Sequence, residues 1–303
     1  MSAANEIVCI GGALVDRKFH LDGSSERDAP SACGRTVVSF GGVARNVAEN
    51  LARLGLRARL ISLAGDDRDG RALLDDLVAH GIDASEVARV ADASTAQYLA
   101  VIDPAGELAF ELADTTIFER LDAARVARAQ SAFAPAAWVF AETNLLADAV
   151  AVLVAGARGA SYRLALDAVS VPKASRLPAE LSGCEIVFLN VAEARSYLDG
   201  SPPSAESCAA AIRARGANSA VVMDGAAGVV VAAGDRVERI PAARAARVAD
   251  VTGAGDALVA TTLRRLCAGD DLVTAVAAGT QAAARTIETD RTVHANDAVT
   301  STR

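Results

Sequence analysis

From residue 137 onward the chain alternates short aliphatic runs with alanine-rich helical stretches, and this rhythm restricts the fold more than any other feature. Strand-like runs fall at 137–141, 164–167, 186–189 and 220–223, and helical spacing fills 147–157, 192–198 and 205–215. Neighbouring strands that run parallel need a crossover between them, usually a helix. The alternation therefore predicts an α/β fold, with a mostly parallel central sheet covered by helices on both faces. The amino-terminal half supplies more of the same. Ile7-Val8-Cys9-Ile10 reads as a buried strand ending at Gly11-Gly12. Residues 46–54 put Val47, Leu51 and Leu54 on one helical face, and Gly55 stops them. A strand at 59–64 and a helix at 69–80, ended by Gly81, follow. Near the end come a hairpin at 228–232 and 236–240 and two long helices at 255–268 and 272–287.

Two segments break the rhythm. Residues 13–40 are polar, with strand-like Thr36-Val37-Val38-Ser39-Phe40 at the end. Residues 94–115 read as two extended pieces around the turn Asp103-Pro104-Ala105-Gly106. Both are expected to form a small β-sheet lid inserted in the α/β body. With no internal repeat and no long linker, one domain over residues 1–303 is expected.

Several function classes are disfavoured at once. A net charge of −8 argues against a nucleic-acid polymer as partner. No apolar run reaches membrane-spanning length, and Met1 to Asn5 do not begin a signal peptide, so no membrane partner is expected. Cys9, Cys33, Cys184, Cys208 and Cys267 contain no C-x-x-C pair, and His20, His80 and His294 lie far apart. Zinc-ligand spacing is absent. An odd cysteine count without a framework points to a reducing, cytoplasmic location.

The strongest local signal is Asp250-Val251-Thr252-Gly253-Ala254-Gly255-Asp256, followed by an apolar helix. Small residues let the backbone approach a ligand, and the free amides of a helix start bind anions. Asp256, in the first turn, is placed to take a proton from a hydroxyl. The competing reading is a tight turn with Asp256 as an ordinary cap. A second signal is Gly41-Gly42-Val43-Ala44-Arg45-Asn46, where a glycine pair admits a polyhydroxylated ligand and Asn46 offers an amide to its hydroxyls; capping by Asn46 is the competing reading. Asp16 lies just past the first strand, at the edge where open α/β sheets collect ligands. Asn190-Val191-Ala192-Glu193 opens a helix after a buried strand. There Glu193 is a candidate outer ligand of magnesium, or a first-turn acid behind a cap. Asp224-Gly225-Ala226-Ala227-Gly228 either borders a nucleotide or turns the chain. Gly11-Gly12 is not followed by G-x-G-x-x-G, so a dinucleotide-dependent oxidoreductase is disfavoured.

In this order, Gly41-Gly42 to Asn46, Asn190-x-x-Glu193 and Asp250 to Asp256 resemble the motifs of the ribokinase-like, PfkB-type carbohydrate kinases, over about residues 6–295. The resemblance implies a three-layer sandwich with a lid, and ATP with Mg2+ as cofactors. It implies Asp256 as the base and Gly253, Ala254 and Gly255 as the anion hole. Asp16, Gly41, Gly42 and Asn46 would hold the acceptor's hydroxyls. Thr252 joins Asn190, Asp224, Gly225 and Gly228 around ATP. Glu193 would serve Mg2+, and Asp250 is a candidate K+ ligand. Within the family, Thr95-Ala96-Gln97-Tyr98-Leu99, Asp103 to Glu107 and Asp167-Ala168-Val169-Ser170 with Lys173 resemble the branch that phosphorylates pseudouridine. Thr95, Tyr98 and Lys173 would then lie near the nucleobase. Ala168, Leu14 and Ala113-Asp114-Thr115-Thr116 depart from that branch. The alternatives are another nucleoside, ribose, fructose or a keto-deoxy sugar acid, and a non-catalytic nucleoside sensor. Residues 94–116 contain no Lys or Arg to meet a sugar acid's carboxylate. An exposed lid edge would allow a homodimer.

Overall fold

Successive residues of a strand point to opposite sides of a sheet. In the computed structural model, which describes residues 6–22, 32–200, 202–289 and 293, the first strand uses both sides for burial. This is β1 (Glu6–Ile10), and all five residues are buried. Ile7 and Cys9 enter one apolar layer, and Val8 and Ile10 enter the other. A short aliphatic run without alternation suits a strand covered on both faces.

The chain continues through β2 (Leu14–Leu21), β3 (Gly34–Gly41), α1 (Val43–Arg53), β4 (Arg57–Gly65), α2 (Arg68–Ala79) and β5 (Asp83–Val90). Then come β6 (Gln97–Ile102), β7 (Leu108–Asp114), α3 (Ala123–Ala129), β8 (Trp138–Glu142), α4 (Ala147–Ala157) and β9 (Arg163–Asp167). The last part holds α5 (Val171–Ala174), β10 (Cys184–Asn190), α6 (Val191–Tyr197), α7 (Ala205–Ala214), β11 (Ser219–Met223), β12 (Val229–Ala233), β13 (Arg236–Ile240), α8 (Ala254–Cys267) and α9 (Leu272–Thr286).

Nine strands form one sheet in the order β13-β12-β11-β10-β9-β8-β1-β4-β5. Pairing is parallel from β11 to β5, and β12 and β13 add an antiparallel edge. Helices α1, α2, α8 and α9 cover the side of Ile7 and Cys9; α3, α4, α6 and α7 cover the other. The expected three layers are therefore present. A second sheet, β3-β2-β6-β7, is built from the two segments that broke the rhythm. Residues 23–31 of the first segment lie outside the described residues, as do Met1 to Asn5 and His294. No helix among the described residues is long and apolar enough to cross a membrane. The five cysteines are free.

Three elements escape a reading by periodicity. β5 carries Asp83-Ala84-Ser85-Glu86, because an edge strand with one neighbour tolerates charge toward water. β2 is eight residues long although polar, since its pairing to β3 and β6 satisfies the backbone whatever its side chains. α3 is short and has only Val126 buried. α1 also starts three residues before the expected Asn46, because Gly42 takes φ 100° and turns the chain into Val43.

Strand order sets the site. From β1 the chain passes to β4 and β5 on one side, and later fills β8 to β11 on the other. Such a reversal opens a crevice at the carboxyl ends of the strands. Gly11-Gly12 follow β1 there, while Glu142, Asp167 and Asn190 end β8, β9 and β10.

Candidate active site

Asp256 stands in the first turn of α8, and the residue capping that helix is Gly253, with φ 81° and ψ −4°. No side chain makes the capping bond, so Asp256 is not the cap. The first amides of a helix lack intrahelical acceptors. Ala254 N–H reaches Val251 O at 3.3 Å. A Cβ on Gly255 would meet only the Met223 side chain, at ordinary contact distance. Small residues thus keep the helix start open at the backbone level.

The carboxylate of Asp256 is oriented from α1. Asn46 Nδ2 donates to Asp256 Oδ2 at 2.8 Å. Asn46 lies inside α1, buried and not at its cap. Arg45 NH1 donates to Asn46 Oδ1 at 3.2 Å, which turns the amide NH2 toward Asp256. Arg45 is itself buried and paired with Glu49 at 2.5 Å and Asp76 at 2.7 Å. Removal from water pushes the Asp256 pKa up to about 7, against the Asn46 bond and the Arg45 charge and with the charge of Glu142. A carboxyl poised near neutrality suits proton abstraction.

Glu142 explains the first glycine pair. A Cβ on Gly11 would run into its carboxylate, and one on Gly12 would sit 2.7 Å from Asn144 Nδ2. Fully buried, Glu142 accepts from Gly12 N at 2.5 Å, Asn144 N at 2.5 Å and Asn144 Nδ2 at 2.9 Å. Burial raises its pKa, opposed by those bonds and by Lys173. Lys173 Nζ donates to Asn144 Oδ1. Asp167 is buried and pushed well above the carboxylate range by desolvation and by the charge of Glu193, with Asp256 and Glu142 adding. Its Oδ1 accepts from Val169 N at 2.8 Å, where Val169 holds φ 59°. That conformation is rare for a β-branched residue.

On the small sheet, Asp16 pairs with Ser39 and Tyr98 across β2. A Cβ on Gly41 would collide with the Asp16 carboxylate, and one on Gly42 with Gly12 O. The second glycine pair therefore lets the Asp16 carboxylate and the Gly11-Gly12 turn pack against this return of the chain. Burial raises the Asp16 pKa to about 6, with Lys18 and Arg45 opposing. The Tyr98 hydroxyl donates to Glu111, and burial together with that bond raises its pKa. Asp256, Asn46, Asp16, Gly41, Gly42, Glu142, Asp167 and Lys173 are thus linked through contacts or shared charge.

Other expected residues are engaged differently. Thr95 is buried and serves the backbone: its hydroxyl donates to Asp67 Oδ1 at 2.7 Å and accepts from Gly65 N at 2.9 Å. It secures the approach to β6 and gives the site no free hydroxyl proton. Asn190 and Glu193 form a reciprocal capping box at the start of α6, with bonds of 2.9 Å and 2.8 Å. That box uses one Glu193 oxygen, and burial raises the pKa of this acid. Asp224 is paired with Arg239 at 2.8 Å, and Gly228 takes φ 98°, where a side chain would collide with Ile240 O. Asp224-Gly225 to Gly228 is at least a hairpin turn.

Asp250 departs most from its expected part. Its Oδ1 accepts from Thr252 N at 2.9 Å and Thr252 Oγ1 at 2.6 Å, and its Oδ2 accepts from Lys18 Nζ at 2.9 Å. Desolvation pulls its pKa up, but the Thr252 bonds and Lys18 outweigh this and hold it below the usual value. With both oxygens engaged and an ammonium already beside it, Asp250 does not fit the part of a K+ ligand. Among the described residues no three acids, histidines or cysteines gather into a metal cage. Magnesium arriving with nucleotide phosphates needs only one or two carboxylates, a demand that Glu193 and Asp167 fit.

Sequence reading missed Glu142, Asn144, Arg45 and Lys18. The Gly11-Gly12 pair was a usable signal for Glu142, because adjacent small residues make room for something. Nothing local marks the other three.

Comparison with known proteins places the chain in a family and a fold. The family described as pfkB family carbohydrate kinase matches residues 4–298. A pseudouridine kinase of Escherichia coli is 29% identical over 264 residues, covering 86% of this chain and 83% of that one. Nucleoside kinases and a sugar kinase also match over shorter stretches. A carbohydrate kinase structure from Agrobacterium tumefaciens is 29% identical, with a TM-score of 0.84 over 97% of this chain and 93% of that one. A ribokinase from Thermotoga maritima, 17% identical, has a TM-score of 0.83 over 94% of each chain, which makes the fold ribokinase-like.

Proposed function

The chain belongs to the pfkB carbohydrate kinase family, and from that premise we propose that it transfers the terminal phosphoryl group of ATP to the 5′-hydroxyl of pseudouridine. One observation carries the kinase chemistry. A carboxyl with a pKa of about 7 is aimed by Asn46 at the open start of α8. Asp256 takes the proton of the attacking hydroxyl. Gly253, Ala254 and Gly255 present amides to the phosphoryl oxygens, where charge grows in the transition state. Asp16, Gly41, Gly42 and Asn46 bind the ribose hydroxyls, with Asp16 as a two-point acceptor.

Magnesium, carried in with ATP, neutralises phosphate charge. Glu193 would hold it through water, with Asp167 beside it. Thr252 and Asn190 line the ATP side, and the Asp224 turn borders the adenosine end. The small sheet acts as a lid that keeps water from the phosphoryl group within a one-domain body. Its face opposite Asp16 carries exposed Val38, Phe110 and Leu112, and we read that face as the contact with a second copy.

Pseudouridine is favoured over other acceptors by the 83% coverage of the pseudouridine kinase relative and by Tyr98 and Lys173 flanking the crevice. Another nucleoside or a sugar is the second reading, supported by the matches to guanosine-inosine and other nucleoside kinases. Incubation with Mg-ATP and pseudouridine, uridine, ribose, fructose or keto-deoxygluconate decides between them. Pseudouridine is expected to give the highest kcat/KM. A clearly higher value for any other acceptor removes the pseudouridine assignment and leaves the kinase assignment standing.

A further inference from the structure

Lys18 lies two residues beyond Asp16 on the same face of β2. From there it crosses to the large body and donates to Asp250 Oδ2 at 2.9 Å, a contact between residues 232 positions apart. Its side chain is 35% exposed and that of Asp250 25%, so the pair is partly shielded from water. Asp250 meanwhile holds Thr252 through its other oxygen. That bond shapes the turn directly ahead of Gly253 and the first amides of α8. One strand of the small sheet therefore touches the acceptor side through Asp16 and the anion-binding turn through Lys18.

A bare carboxylate at this place would repel an incoming phosphate and compete with the amides for its charge. A cation has to neutralise it. Lys18 is the cation present, and an ammonium is a compact point charge that suits a single carboxylate oxygen. Asp250 Oδ1 already accepts twice from Thr252, and the ammonium of Lys18 occupies Oδ2, so a mobile cation would have to approach beside a fixed positive charge.

We propose that Lys18 is the built-in counter-cation of Asp250, which ties the acceptor-binding strand to the anion-binding turn and makes turnover independent of added monovalent metal ions. The proposal rests on reading Asp250 to Asp256 as the phosphoryl-transfer segment. The lysine does for the turn what a dissociable ion would otherwise do. It also makes the neutralisation conditional on the small sheet being docked, because the charge arrives on that sheet.

The test compares wild type, Lys18→Met and Lys18→Arg in choline, sodium and potassium chloride at equal ionic strength. Two readouts are taken: the melting temperature of the free protein, and kcat and KM with Mg-ATP and the best acceptor. Wild type is expected to be indifferent to the cation in both. Lys18→Met should lose about a hundred- to a thousandfold in kcat in choline, the scale of losing one charge-stabilising group. Potassium should restore part of that loss and raise its melting temperature, because the vacated position then takes an ion. Lys18→Arg should remain indifferent to the salt. A wild type that requires potassium overturns the proposal, and so does a Lys18→Met protein that ignores the cation in both readouts. If Lys18→Met fails to fold, the salt response of wild type and Lys18→Arg still decides. A wild type that phosphorylates no acceptor removes the kinase reading instead, while the melting readout continues to test Lys18.

Discussion

In the nine-stranded sheet, β1 and β8 bury every residue; in the four-stranded sheet, β7 exposes all seven of its residues. The large sheet is gripped by helices on both faces. The small one is tied to the body by side chains: Arg17 to Asp69 at 2.7 Å, Lys18 to Asp250, and Thr95 to Asp67. Part-exposed ion pairs contribute little each, about 0–1 kcal/mol. Regions with few buried apolar contacts open at low cost. The contrast separates two tasks. Asp256, the proton acceptor of the proposed function, and the start of α8 sit on the helix-covered body, where packing fixes geometry. On the proposed function, acceptor recognition is shared with the sparsely packed small sheet, which carries Asp16 on β2.

Substitutions on the two regions should therefore fail in different ways. The largest effect is expected on the body. Asp256→Asn should lower kcat by about 10²–10⁴-fold, the range for a lost general base, with acceptor KM little changed. The same substitution should stabilise the protein above neutral pH. A carboxyl whose folded pKa is raised from 3.8 to about 7 favours folding below the lower value and loses that advantage as pH rises through 7. Melting curves of wild type and Asp256→Asn should therefore separate at pH 8. Equal curves at that pH would place Asp256 in a less desolvated setting.

Next in size is Asp16→Ala on the small sheet. It should raise acceptor KM about 10–100-fold, the cost of a lost charged hydrogen bond, while the KM for ATP stays near its wild-type value. A collapse of kcat alone would place Asp16 with the chemistry instead. Glu142→Gln should cost stability first, roughly 1–3 kcal/mol in urea titration, because its NH2 replaces one of the two oxygens that accept from the backbone amides of Gly12 and Asn144. Asn46→Ala should move the acid limb of kcat to higher pH, since a bond that holds the Asp256 pKa down is removed. An unmoved limb would disconnect that limb from Asp256. Tyr98→Phe is expected to be the mildest. It removes an exposed bond to Glu111 and should change acceptor KM only a few-fold, with the melting temperature kept.

Much of the fold was legible because its signals are local. Aliphatic runs, helical spacing and stopping glycines at 55 and 81 each act within a few residues. The same holds for Gly253, whose left-handed backbone is a property of that residue and its neighbours. Polar strands β2 and β5 were hidden, because their existence depends on partners far along the chain. Thr95 and Asp224 looked equally available in sequence, yet Asp67 and Arg239 engage them.

The sequence by itself determined the order of the three glycine- and asparagine-marked motifs, the strand and helix alternation, and an acid in the first turn of a helix. These follow from spacing, which no distant contact can alter. Tertiary structure alone decided what that acid is. Asn46 reaches Asp256 across 210 positions, Glu142 fills the space left by Gly11 and Gly12, and Lys18 meets Asp250 across 232. A pKa near neutrality and a neutralised turn arise only when folding removes water and brings those partners together.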